Sequence, residues 1–157
     1  MTNELDVPDT DPEMETDFLE MPARRPRADD MDSEEKVRLM AEAADDVRAV
    51  DIIALDLQGL TIIADFFLIC TGKSSVQLRA IADRIEEKLR DRGIRKLRAE
   101  GYREATWILL DYGDVVAHVM SAEQRDFYNL ETFWAAAPQL ELDLDSEEES
   151  HAPGRDA

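Results

Sequence analysis

The sequence predicts a mixed α/β fold, a five-stranded mixed sheet flanked by helices, and three observations lead to it. Apolar residues recur at helical spacing in three separate stretches. Five short runs rich in β-branched and aromatic residues lie between them, most of them ending at a glycine or a polar turn. The resulting order, α-β-β-α-β-β-β-α, departs from the strict alternation of doubly wound sheets and calls for strands that pair in both senses.

The first helix begins with Asp32 as N-cap and Glu35 three residues on, a capping-box signature, and continues through Val37, Met40, Ala41, Ala44 and Val47. DIIALDLQGL then supplies a strand ending at Gly59, and ADFFLICTG a second, more apolar one ending at Gly72. Ser74 or Ser75 caps the next helix. Leu78, Ile81, Ala82, Ile85 and Leu89 line its dry face, and Gly93 suits its C-terminal cap. IRKLRA alternates only loosely and reads as a third strand at or near a sheet edge. TWILLDYGDVVAHVM gives strands four and five around the turn Tyr112-Gly113. A last helix starts at the capping box of Ser121 and Gln124 and runs through Phe127, Leu130, Phe133 and Trp134 until Pro138 stops it.

These elements occupy residues 34–142, and the charge falls mostly outside them. Of the formal net charge of -19, residues 1–33 contribute 11 acids against 3 bases and residues 143–157 contribute 6 against 1. The N-terminal segment has prolines at 8, 12, 22 and 26 and no sustained apolar period, so burial cannot offset the entropy of ordering it. Both ends read as disordered acidic tails, and His151 in the second as a solvated residue. A chain this acidic repels phosphate backbones, which disfavours a direct grip on duplex DNA or RNA by a general basic surface; no direct DNA binding is expected, and a basic protein is the natural partner. No apolar stretch approaches the ~18 residues of a membrane span. The N-terminus lacks a signal or transit pattern, and the expected location is cytoplasmic. The single cysteine, Cys70, sits in an apolar run and reads as a buried small hydrophobe.

Catalytic patterns fail on inspection. TGKSS resembles the end of a phosphate loop, but the required glycine five positions before the Gly-Lys pair is Phe67. A nucleotidyltransferase needs two alternating acids on the strand after the helix, and IRKLRA has none; Asp143 and Asp145 alternate, but at the start of the polar tail. One histidine in the folded part and one apolar-flanked cysteine provide neither a zinc set nor a Cys-His pair. Asp111 and Asp114 would serve as an acid/base pair only with a substrate between them, and acids beside a Tyr-Gly turn are more often turn formers. No enzyme activity, metal or cofactor is expected.

The hairpin carries the functional expectation. Closed at Asp111 and Asp114, it sets Trp107 opposite His118 and Leu109 opposite Val116. One face is then Ile108, Leu110, Val115, Ala117 and Val119, which is core. The other holds Trp107, Leu109, Asp111, Asp114, Val116, His118 and Met120. A covering helix would make these ordinary core residues; left open, an indole and aliphatic centre with carboxylates on its rim suits a protein interface.

DIIALDLQGLTIIADFFLICTG, SSVQLRAIAD, EGYREATWILLDYGDVVAHVM and RDFYNLETFW occur in that order, and together they resemble the ribosomal silencing factor, or Iojap-like, family over about residues 34–140. The resemblance implies a small mixed α/β fold with the outline of a nucleotidyltransferase but without its catalytic acids. It implies binding to the large ribosomal subunit through ribosomal protein L-fourteen, which blocks joining of the small subunit, especially under nutrient limitation. Some members behave as homodimers, and a role in large-subunit assembly is the alternative. Trp107, Asp111, Asp114 and His118 match the family's motif, as do Glu100, Gly101 and Tyr102 just before it. Phe66 stands where the family commonly has tyrosine, which would matter only if that hydroxyl took part in docking.

Overall fold

The computed structural model describes residues 31–144. The two segments expected to be disordered lie almost wholly outside the described residues. Helix α1 (Ser33–Asp46) starts after Asp32 as the spacing predicts, but the Asp32 side chain makes no cap hydrogen bond. The expected capping box does not close there, because Glu35 reaches instead toward Arg92, 3.6 Å away. Glu34 and Glu35 still place negative charge at the positive end of the helix dipole.

Strands β1 (Val50–Asp56) and β2 (Phe66–Gly72) form an antiparallel pair, with a register shift near Asp51. Helix α2 (Ser75–Arg90) is capped by Ser74, whose hydroxyl accepts from the Gln77 amide at 3.0 Å, so TGKSS is a strand end, a turn and a cap. Its C-terminus closes with Gly93 at φ +82° and the Ile94 amide donating to the Leu89 carbonyl. Of the expected third strand IRKLRA only Arg98 and Ala99 fall in β3 (Arg98–Glu100), which lies at the sheet edge as predicted. β4 (Trp107–Asp111) and β5 (Val115–Ser121) complete the order β1-β2-β5-β4-β3. The central pair β2–β5 is parallel and the other pairs are antiparallel, which makes the sheet mixed as predicted.

Alternation along each strand divides the apolar residues between two faces. Phe66, Leu68, Cys70, Ile108, Leu110, Val115, Ala117 and Val119 pack under α1 and α2 with Val37, Met40, Ile81, Ile85 and Leu89. Cys70 is fully buried, and burial pushes its thiol up to about 12, so it is inert packing. Phe66 is 1% exposed in this core, which removes the missing tyrosine hydroxyl from any docking surface. The opposite face holds a smaller cluster of Leu55, Leu57, Phe67, Ile69, Met120 and Ala137.

The expected single C-terminal helix is broken. α3 (Ala122–Tyr128), capped by Ser121, ends at Asn129, whose φ of 49° and ψ of 57° are left-handed, and α4 (Leu130–Phe133) sets off afresh. Asn is among the few residues that tolerate this conformation, so the break is local chemistry that apolar periodicity does not register. Beyond it, Gln139 bridges to Leu55 and the Leu140 amide donates to the Ala54 carbonyl, covering the free edge of β1. Packing continues past position 142: Leu144 is buried in the helix-side core.

Gly101 turns the chain into β4. At φ +83°, an added Cβ would stand 2.1 Å from the Trp107 carbonyl oxygen. Gly101→Ala is expected to lower stability by about 3 kcal/mol, seen as a reduced urea midpoint with an unchanged denaturant slope.

Candidate docking surface on the hairpin face

The β4–β5 turn is displaced by one residue from the predicted position. Asp111 pairs with Val116, Leu109 with His118 and Trp107 with Met120, and the Tyr112 amide donates to the Val115 carbonyl across a Gly113-Asp114 loop. The predicted pairings of Trp107 with His118 and Leu109 with Val116 are therefore each off by two residues. A loop at Tyr112-Gly113 would require positive φ at a tyrosine; placing Gly113 first, at φ +91°, avoids that strain. A register shift of two preserves side-chain alternation, so Trp107, Leu109, Asp111, Val116, His118 and Met120 do share one face.

Asp114 leaves that face. Its carboxylate takes an ion pair at 2.8 Å from Lys36, a buried lysine of α1, while its carbonyl accepts from the Asp65 and Phe66 amides. Asp111 stays, but it accepts from Arg98 at 3.1 Å and caps the turn through the Gly113 amide at 2.8 Å. The predicted rim of two free carboxylates is thus one carboxylate paired with Arg98 and one pinned under the sheet. Glu100 pairs with Arg98. The Tyr102 hydroxyl donates to Asp83 on α2 at 3.0 Å, and the Tyr102 carbonyl accepts from Arg79. These two residues brace the entry to β4 and do not line the hairpin face.

The far end of the face is covered. The Trp107 indole Nε1 donates to His118 Nδ1 at 3.1 Å, Tyr128 of α3 packs on Trp107 at 4.8 Å, and Trp134 meets Phe67 at 5.9 Å. Arg125 holds α3 in place, donating to the Asp51 carbonyl, the Thr71 hydroxyl and Glu131. Because Nδ1 accepts a hydrogen bond, the neutral His118 carries its proton on Nε2, beside the Phe67 ring. Only 5% exposed, His118 is pushed by burial down to about 4.

The turn end is open. Leu109, Val116 and His118 line a shallow concavity of about 410 Å³ with Ile63, Phe67 and Leu97, and Arg98, Asp111 and Gly113 complete its wall. Ile63 and Leu97 are more than half exposed, and Ile62 beside them is fully exposed. Sequence reasoning missed these three. The signal was present as two adjacent isoleucines just after a Gly-containing turn, where loop residues are usually polar. Among the described residues no group of three or more His, Cys, Asp or Glu could hold a metal ion. The arrangement offers apolar contact area with one ion-paired edge.

The family described as "Ribosomal silencing factor during starvation" matches residues 30–157. The chain belongs to the ribosomal silencing factor family. The Bacillus subtilis ribosomal silencing factor is 45% identical over 114 residues, covering 73% of this chain and 97% of that protein. A chloroplastic Iojap protein of Zea mays is 35% identical over 69% of this chain and 47% of its own length. Among solved structures, a Chromobacterium violaceum protein superposes with a TM-score of 0.66 at 37% identity, covering 67% of this chain and 88% of the other. A Bacillus halodurans structure gives 0.62 at 42% identity, over 69% and 99%. The family is described by ribosomal silencing during starvation, and the chain shares its mixed sheet with the two solved structures.

His118 yields a pH signature for the face. Its folded value near 4 lies below the ordinary 6.5, so its contribution to stability is complete above 6.5 and is lost as pH falls toward 4. The loss amounts to about 3 kcal/mol. His118→Phe should abolish that part of the acid sensitivity, measured as the difference between wild-type and variant urea midpoints at pH 7 and pH 4.5.

Proposed function

We propose that this chain represses translation by binding the large ribosomal subunit through ribosomal protein L-fourteen, and that the bound protein blocks joining of the small subunit. The observation that carries the reading is the half-covered hairpin face: the half-buried Leu109 and Val116 and the exposed Ile63 and Leu97 form an apolar surface that is left open among the described residues. Family membership supports a ribosomal partner. Trp107 and His118 act from beneath the surface by fixing the strand that presents Leu109 and Val116. Asp111, with Arg98, provides the polar edge. Asp114, Glu100 and Tyr102 position the hairpin through Lys36, Arg98 and α2.

The mechanism is occupancy without turnover. A ligand that covers part of the intersubunit surface shifts subunit joining by mass action, so inhibition follows the fraction of subunits bound. Neither cofactor nor catalysis is needed. The site of action is the cytoplasm, in keeping with a chain in which no described helix is long and apolar enough to cross a membrane.

Ile63→Asp and Leu97→Asp, both at exposed positions, should each weaken large-subunit binding at least about tenfold in co-sedimentation, with melting temperatures near that of wild type. Val76→Asp, at an exposed position on α2 away from the hairpin face, should bind normally. Equal binding by all three variants would remove the hairpin face from the mechanism. Accumulation of immature large subunits in a deletion strain would replace silencing with an assembly role.

A further inference from the structure

The net charge conceals a local reversal. Between α2 and β4, Arg90, Arg92, Arg95, Lys96 and Arg98 fall within nine residues, and Asp91 is the one acid among them. All five cations are exposed. Arg92 pairs with Glu35, Lys96 with Glu86, and Arg98 with Glu100 and Asp111. Arg90 and Arg95 have no ion pair or hydrogen bond among the described residues, and with Lys96 they border a small concavity of about 150 Å³ beside Tyr112.

Basic residues after a helix C-terminus complement its dipole, but that effect reaches only the last turn, where Lys88 and Arg90 already supply it. Arg95 and Lys96 lie beyond it, on the loop that continues into Leu97 and Arg98. Those last two residues line the open concavity of the hairpin face. One short loop therefore presents apolar contact on one side and cationic side chains on the other, so whatever covers Leu109 and Val116 has this charge at its border.

We infer that the cationic loop of residues 90–98 contacts the phosphate backbone of ribosomal RNA next to the protein docked on the hairpin face. The inference rests on the large-subunit reading above and adds a second partner to it. Guanidinium groups on an exposed loop suit phosphate oxygens, and such contacts release counterions, so they appear in the salt dependence of binding. The contact supplies orientation without sequence readout, because it addresses backbone alone.

The test uses the full chain with Arg90, Arg92 and Arg95 all changed to Gln, and a matched variant with all three changed to Lys. Large-subunit co-sedimentation across a salt series is compared with binding to isolated ribosomal protein L-fourteen. The Gln variant should lose at least about tenfold in subunit affinity at low salt, and its log affinity against log salt should be shallower by about 2. The Lys variant should keep most of both, and neither variant should change binding to the isolated protein. An unchanged affinity and salt slope in the Gln variant overturns the inference while leaving the docking reading intact. So does a parallel loss against the isolated protein, which would assign the loop to a protein contact. A wild-type chain that does not sediment with the subunit removes the docking reading and this inference together.

Discussion

The parallel pairing of β2 with β5 at the centre of the sheet is the constraint on which the rest of the molecule turns. Strands so placed call for cover on both faces, and every residue of β2 is buried. The chain meets the demand unequally. Two long helices, α1 and α2, cover one face, whereas among the described residues the other receives the broken segment α3–α4 and the residues that follow it. That segment reaches Phe67, Ile69 and Met120 and stops short of Leu109 and Val116. An apolar surface at one end of the sheet is what this imbalance leaves.

Charge then tunes the border of that surface. Lys36 and Asp114 form an ion pair that ties the β4–β5 turn to α1, and the Asp114 carbonyl ties the same turn to the start of β2. Arg98 spans from the edge strand to Asp111. Each contact fixes the tip of the hairpin from a different direction, so the open surface is presented by a braced turn. Preorganisation of this kind lowers the ordering cost of association.

Strand existence and the division of faces were legible in the sequence because both follow from alternation, which survives a register change of two. The register itself was not, since it depends on which residue takes positive φ, and Tyr112-Gly113 and Gly113-Asp114 look alike in composition. The break at Asn129 was hidden for a similar reason: Phe127, Leu130, Phe133 and Trp134 keep helical spacing across a residue that is not helical. Asp114 illustrates a third limit. Nothing local to a turn reveals a lysine 78 positions away. Ile62 and Ile63 were visible and went unweighed, because an apolar pair in a loop reads as noise until the surface around it is known.

The corner at Asn129 sets how far the cover extends. With helical dihedrals there, α3 would continue in a straight line; the left-handed residue redirects the chain so that Trp134 comes down on Phe67. Tyr128, just before the corner, covers Trp107, and Trp134, just after it, covers Phe67, so one residue joins the two halves of the cover. The breadth of the open surface is therefore tied to a single bend, and the segment beyond that bend is in turn anchored on the edge of β1.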